Sequence, residues 1–263
     1  MIRRIFLALA LAVSMSIALP ASSADPLKLV TNTWSPYVDK NLPGQGLAVE
    51  LVMHILRHAG YEPTLTIETW PRAMEGAKIG VYDAIAAAWV TEERERDYLY
   101  SLPYLNNWLR IVGMKSRPLD QKKLGELAGL RLGIVTDYAY GVDFDAIEGV
   151  QLVRENHLIQ NLLNLSNGRV DFVVGDERAI RSEINSYLPD RRAEFGFLEI
   201  ELPVRSLYLA VSRQSPIAEA LVKRFNDALV ATRNDGSYER ILAEWDDRLR
   251  LGEGAGTPVI MGQ

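Results

Sequence analysis

The sequence contains no cysteine. That absence excludes disulfides, thiolate metal sites, a cysteine nucleophile and a lipidated N-terminal cysteine. Histidine is scarce, with only His54, His58 and His157 present, which leaves little for histidine-based catalysis. No basic block or stripe occurs, and Lys+Arg 29 against Asp+Glu 34 leaves a net charge of −5, so nucleic acid is a poor candidate partner. No G-x-S-x-G elbow or Walker-type loop is present. His54 and His58 lie four apart, but no acid arrives at HExxH spacing, and Met53, Ile55 and Leu56 between them argue for a packed helix. Carboxylates are plentiful, yet no pair stands out as acid and base. Nothing in this inventory demands an enzyme, and no cofactor or metal is expected.

Long apolar runs are also missing, with one exception at the start. Arg3 and Arg4 precede an almost wholly apolar stretch from Ile5 to Leu19, then Pro20 and Ala21-Ser22-Ser23-Ala24. A short positive segment, an apolar run of about 15 residues and small residues at −3 and −1 form a secretory signal, cleaved after Ala24. A membrane anchor is the competing reading, but the run falls short of the ~20 residues needed to span a bilayer. The expected product is exported and soluble.

What the chain does have is apolar content, 48% over 263 residues, enough for one large domain or two smaller ones. Short apolar runs alternate with amphipathic stretches. Strands are expected at Leu27–Thr31, Thr64–Glu68, Asp83–Ala88 and Leu109–Met114, with helices at Gly46–Ala59 and Pro71–Gly80. After the turn-rich Lys115–Pro118 the pattern restarts, with strands near Arg131–Val135, Val150–Arg154, Val170–Val174 and Phe197–Glu201. Helices are expected near Ala139–Ile147, Leu158–Asn167 and Glu177–Tyr187. A strand at Ser206–Val211 and helices at Pro216–Thr232 and Ser237–Arg248 close the chain before a frayed tail. Such alternation implies an α/β fold of mainly parallel sheets flanked by helices.

In open α/β sheets ligands bind beyond the carboxyl ends of the strands. The residues that follow each expected strand share a chemical theme. Asn32, Thr33 and Trp34 follow the first, Trp70 the second, and Trp89, Thr91 and Arg94 the third. In the second half Asp137, Tyr138 and Tyr140 follow one strand and Asp176 another. Thr91-Glu92-Glu93 reads as an N-cap with acids in the first helical turn, and Arg94 runs against that dipole preference. Arg94 either pairs with Glu92, Glu93 or Asp97, or offers a guanidinium fork to a carboxylate. Asp176 either caps a helix or accepts hydrogen bonds from an ammonium group. Trp70 and Trp89 read equally as core, whereas Trp34 lies in a turn where a large aromatic is harder to explain by packing.

Six motifs in order give the chain a resemblance to bacterial periplasmic solute-binding proteins of family 3, the receptors for polar amino acids in ABC import systems. They are Trp34-Ser35-Pro36-Tyr37, Gly46-Leu47-Ala48-Val49-Glu50-Leu51, the run from Asp83 through Trp89-Val90-Thr91-Glu92-Glu93-Arg94, Ser101-Leu102-Pro103-Tyr104, Leu127-Ala128-Gly129-Leu130-Arg131-Leu132-Gly133-Ile134, and Asn234-Asp235-Gly236-Ser237-Tyr238 with Ile241 and Trp245. The resemblance implies the type II periplasmic-binding-protein fold: lobe I from 25–113 and 206–250, lobe II from 114–205, hinge crossings near Gly113 and Val204, and a tail at 251–263. It matches Arg94 to the arginine that receives the ligand α-carboxylate and Asp176 to the acid that receives the α-amino group. Trp34 and Trp70 match aromatic positions that flank the ligand side chain. Tyr138 and Ala139 fall where the second lobe usually offers a Ser/Thr pair, with Tyr140 next. Trp89 stands where the family commonly has a serine, and Ala86 and Ala87 replace small polar residues, so the expected pocket is more aromatic and less hydroxylated than usual.

The function so implied is capture of an amino acid or similar zwitterion by hinge closure, with opposite charges on opposite lobes. Micromolar affinity, about −8 kcal/mol, is the expected scale. The expected partners are that small-molecule ligand and an inner-membrane ABC permease, with the chain acting as a periplasmic monomer. Two other readings stay open: a secreted dehydratase on the same fold using Asp176 or Glu177, and a ligand sensor for a membrane receptor.

Overall fold

The computed structural model describes residues 26–252; the expected signal segment 1–24 and residues 253–263 lie outside that range. The first half of the chain runs β1 (Leu27–Thr31), α1 (Leu47–His58), β2 (Pro63–Ile67), α2 (Trp70–Lys78), β3 (Ala84–Ala88), α3 (Glu92–Glu95), β4 (Tyr98–Tyr100) and β5 (Leu105–Met114). The second runs β6 (Arg131–Val135), β7 (Gln151–Glu155), α4 (Leu158–Ser166), β8 (Phe172–Asp176), α5 (Glu177–Tyr187) and β9 (Phe195–Phe197). Strand β10 (Val204–Ser212) and helices α6 (Ala218–Asn234) and α7 (Ser237–Gly252) complete it.

Strand pairing divides these elements into two lobes. One sheet has the order β2-β1-β3-β10, the other β5-β8-β6-β7, and β10 and β5 pair with each other. The crossover-linked strands are parallel, β1 with β2 and β3, and β6 with β7 and β8. The two long strands β10 and β5 run antiparallel to β3 and β8 respectively. They pair over Leu105–Trp108 and Val204–Leu207, after which each continues into a different sheet. This is the architecture of a type II periplasmic binding protein.

The local sequence explains the elements. Every residue of β3, Ala-Ile-Ala-Ala-Ala, is buried, as is every residue of β8, because helices cover both faces of a parallel strand. Helix α1 buries Leu47, Leu51, Val52, Ile55 and Leu56 on one face, each worth about 1.5–3 kcal/mol when removed from water. Those side chains join one continuous core with Phe225 and Leu229 of α6 and Trp245 of α7. His54 lies on the same helix and hydrogen-bonds Ser237 Oγ at 2.7 Å, consistent with the packing reading. Among the described residues no helix is long and apolar enough to cross a membrane, and no cluster of three or more potential metal ligands occurs.

Two expected elements differ. The helix expected near Ala139–Ile147 does not form. Gly141 and Gly149 adopt φ of +74° and +76°, and the Asp145 amide bonds Asp143 Oδ1 at 3.0 Å, a side-chain turn that competes with helix. The strand expected at Phe197–Glu201 instead occupies Phe195–Phe197 on the flank of β5.

Candidate functional site

The turn after β1 carries Trp34 and Tyr37. Trp34 and Val38 exchange backbone hydrogen bonds at 2.8 Å. The carbonyls of Pro36 and Tyr37 then receive the Leu47 and Ala48 amides at the start of α1, both at 3.0 Å. Gly46 makes this docking possible, since its φ is +110° and a Cβ there would lie 2.4 Å from the Tyr37 carbonyl oxygen. So anchored, the Tyr37 ring is fully buried and packs 4.6 Å from Trp34.

A second group of candidate residues follows β3. Trp89 is 6% exposed, and its indole donates to Asn107 Oδ1 at 2.8 Å. Thr91 caps α3 by accepting the Arg94 amide at 3.2 Å, as the sequence suggests. The Arg94 side chain does not pair with Glu92, Glu93 or Asp97; Asp97 is held by Lys78 instead. The guanidinium folds back to donate to the Trp89 carbonyl at 3.0 Å and to the Asp137 carbonyl at 3.3 Å, and stacks 4.8 Å over Trp70. Burial lowers its pKa more than any neighbour raises it, but guanidinium remains charged in proteins. Among the described residues Arg94 has no carboxylate partner. Arg205 of β10 grips the next carbonyl, that of Val90, at 2.6 Å.

The opposite lobe supplies Asp137, Tyr138 and Tyr140 after β6. Asp137 takes a left-handed φ of +61°, a conformation that Asp tolerates better than most residues. Tyr138 packs edge-on against both Trp34 (6.0 Å) and Trp89 (5.5 Å), so an aromatic cluster spans the two lobes. Tyr140 belongs more to the core: it is 4% exposed and its hydroxyl accepts the Val135 amide at 2.8 Å.

Asp176 ends β8 and caps α5. Its Oδ1 accepts the Ala179 amide at 3.0 Å and the Tyr37 hydroxyl at 2.6 Å. Its Oδ2 is buried with no partner. Burial raises its pKa, opposed by Tyr37, the Ala179 amide, Arg178 and Asn107. Asp171, at the other end of this segment, is by contrast saturated: it receives Arg131 through the backbone at 2.8 Å and the side chain at 2.9–3.0 Å, and Arg117 as well.

The fold thus places Trp34, Trp70, Trp89, Thr91, Arg94, Tyr138 and Asp176 around one inter-lobe region, with Tyr140 behind it. Sequence reasoning named Tyr37 only as part of a motif, and Asn107 and Glu183 not at all. Asn107 carried one signal, a carboxamide inside a strand where such residues are disfavoured. Glu183 on α5 has a buried, unpartnered Oε2, and burial together with Asp39 raises its pKa to about 7. Next to it Ser182 Oγ lies 3.3 Å from Ser35 Oγ across the lobes.

The chain as a whole is similar to known proteins. The chain is 24% identical over 230 residues to ABC transporter arginine-binding protein 1 of Escherichia coli K12, covering 86% of this chain and 92% of that protein. It is 25% identical over 243 residues to the L-arginine-binding protein of Pseudomonas aeruginosa, covering 88% and 92%. Among solved structures, the substrate-binding protein AbpA of Streptococcus pneumoniae bound to L-arginine superposes with a TM-score of 0.70 at 16% identity, covering 86% of this chain and 95% of that one. Residues 29–247 match the family model, and the chain belongs to the bacterial extracellular solute-binding proteins, family 3.

Proposed function

We propose that the protein binds an amino-acid zwitterion between its lobes and delivers it to an ABC permease in the inner membrane. One observation carries the reading: among the described residues Arg94 on one lobe is a cation without a carboxylate partner, while Asp176 on the other has a buried oxygen without a donor. Leaving such groups unanswered is costly, and a ligand carrying both a carboxylate and an ammonium answers both at once. The carboxylate would lie in the Arg94 fork, with Thr91 at the head of the same turn, and the ammonium against Asp176. Trp34, Trp70, Trp89 and Tyr138 would enclose the remainder, with Tyr140 supporting Tyr138 from behind. Amino acids named in the relatives, arginine above all, belong to this class.

Because the two charges sit on different lobes, the ligand stabilises the closed form over the open one, the differential contact that drives closure. The lobes are 25–113 with 206–250 and 114–205, and the flexing strands are the crossings made by β5 and β10. The chain acts as a periplasmic monomer after cleavage at Ala24, as a carrier and not an enzyme. A thermal-shift screen over L-amino acids tests this: a ligand at 100 times its Kd adds about 2.7 kcal/mol. At least one amino acid should stabilise the protein, and Arg94→Ala should abolish the effect. Hits confined to compounds without a carboxylate would overturn the assignment of Arg94.

A further inference from the structure

We propose that Asn107 is a positioning residue of the binding cleft, whose one carboxamide fixes the Trp89 ring at its oxygen end and serves the ammonium acceptor Asp176 at its nitrogen end. The inference rests on the reading that Asp176 receives the ligand's amino group. Asn107 has no solvent exposure and sits on β5 where that strand crosses between lobes. Its backbone is opposite Arg205 of β10, and Leu109, two positions on, is opposite Asp176 of β8. It therefore stands between the first lobe's aromatic wall and the second lobe's acid.

The two ends of the amide are chemically distinct, and the hydrogen bonds assign them. The Trp89 indole is only a donor, so the atom it meets at 2.8 Å is the carbonyl oxygen. The Nδ2 donors consequently face away from Trp89. They are buried without a partner of normal geometry, as is Asp176 Oδ2. The two orphaned atoms are a donor and an acceptor, and because Leu109 is opposite Asp176, Asn107 lies one diagonal step from the acid on the same face of the sheet, where an amide favours the charged form of the carboxylate. A residue kept for packing alone would be better replaced by an apolar side chain here, since an unanswered buried amide is destabilising. The arrangement makes sense when the carboxylate must be both buried and ionised: Asn107 keeps a neutral donor on the acid's side of the strand while Asp176 Oδ2 stays open to an ammonium group. The same amide holds Trp89 edge-on to Trp34 at 5.2 Å and Tyr138 at 5.5 Å, so wall and acid are set by one side chain.

The groups that face Asp176 are the Tyr37 hydroxyl from the turn after β1, the Ala179 amide and Arg178 from α5, and Asn107 from β5; Tyr138 feels its charge from the loop after β6. Isotope-labelled wild-type protein and Asn107→Leu, both without added ligand, are titrated from pH 2 to 8 by NMR, following the Asp176 carboxyl carbon and the Trp89 indole N–H. Asn107→Leu should move the Asp176 midpoint upward by about one pH unit, and the Trp89 indole proton should lose its protection from exchange. An unchanged midpoint, or an indole that exchanges as slowly as in wild type, would overturn the proposal. Should Asn107→Leu not fold, Trp89→Phe reads the coupling from the other end, because it frees the amide and should shift the Asp176 midpoint; no shift there also overturns it. This readout needs no ligand. If no amino acid stabilises wild-type protein, the zwitterion reading fails while the Asn107 coupling is still decided.

Discussion

The Tyr37 hydroxyl donates to Asp176 Oδ1 at 2.6 Å, joining the turn after β1 to the cap of α5 on the opposite lobe. Burial and the neighbouring carboxylate both hold the phenol protonated, so it can only be the donor. Asp176 is thereby orientated by one neutral donor and one helix amide, a geometry that leaves its other oxygen buried without a donor among the described residues.

Removing that donor should change acidity before it changes shape. Tyr37→Phe keeps the ring and its packing on Trp34 but deletes a hydrogen bond to the ionised form of Asp176. The Asp176 pKa, already raised by burial, rises further. If the ammonium group of the ligand rests on Asp176 as proposed, binding should then be lost at a higher pH on acidification than in wild type. Calorimetric titration at several pH values checks this; identical profiles would argue against the bond's role.

Asp176→Asn should separate stability from binding. Asparagine still caps α5, and the substitution removes a buried charge, so the ligand-free protein should gain about 0.5–2 kcal/mol. Amino-acid binding should fall by at least tenfold, because a neutral amide cannot replace a charge-assisted acceptor. Urea denaturation together with a binding titration measures both halves.

Glu183 predicts a pH dependence of stability. Its folded pKa is about 7, against about 4.3 for an unfolded chain. The folded state therefore holds the proton more tightly, and stability falls as pH rises from about 4.5 to 7. With the side chain partly exposed, solvent screening limits the loss to about 1–2 kcal/mol. Glu183→Gln should flatten that slope, and denaturation midpoints at pH 5 and 7.5 test it. A slope that persists in the variant would assign the titration to another group.

Gly46→Ala should destabilise by about 1–3 kcal/mol, through a φ that side chains avoid and a clash with backbone that has no room to yield. Since the clash falls on the Tyr37 carbonyl, ligand affinity should weaken as well. Gly60→Ala is the control, with φ also positive but open space around it; its cost should be conformational only and its affinity unchanged.

Periodicity alone located most elements within a few residues, because strands such as β3 and helices such as α1 are driven by local apolar pattern and bury a continuous face. It failed at 139–147, where glycine and aspartate turns outweigh a weakly helical run. The charged pair at 94 and 176 was visible as polar punctuation after strands, and their alternatives were local: an ion pair within α3, a cap on α5. The sequence could state those alternatives but not choose between them.

Sequence by itself determined the alternation of strands and helices, the strand ends on which polar residues gather, and the charges available there, since each depends on neighbours within a few positions. Tertiary structure alone decided that Arg94 turns away from its own helix toward Trp70 and Asp137, and that Asp176 keeps an unanswered oxygen while also serving as a cap. It alone brought Asn107 onto the Trp89 indole and set it one diagonal step from Asp176 across β5 and β8. Such choices rest on contacts between segments tens of residues apart, and on which buried polar atoms find partners, a question that only the packed chain answers.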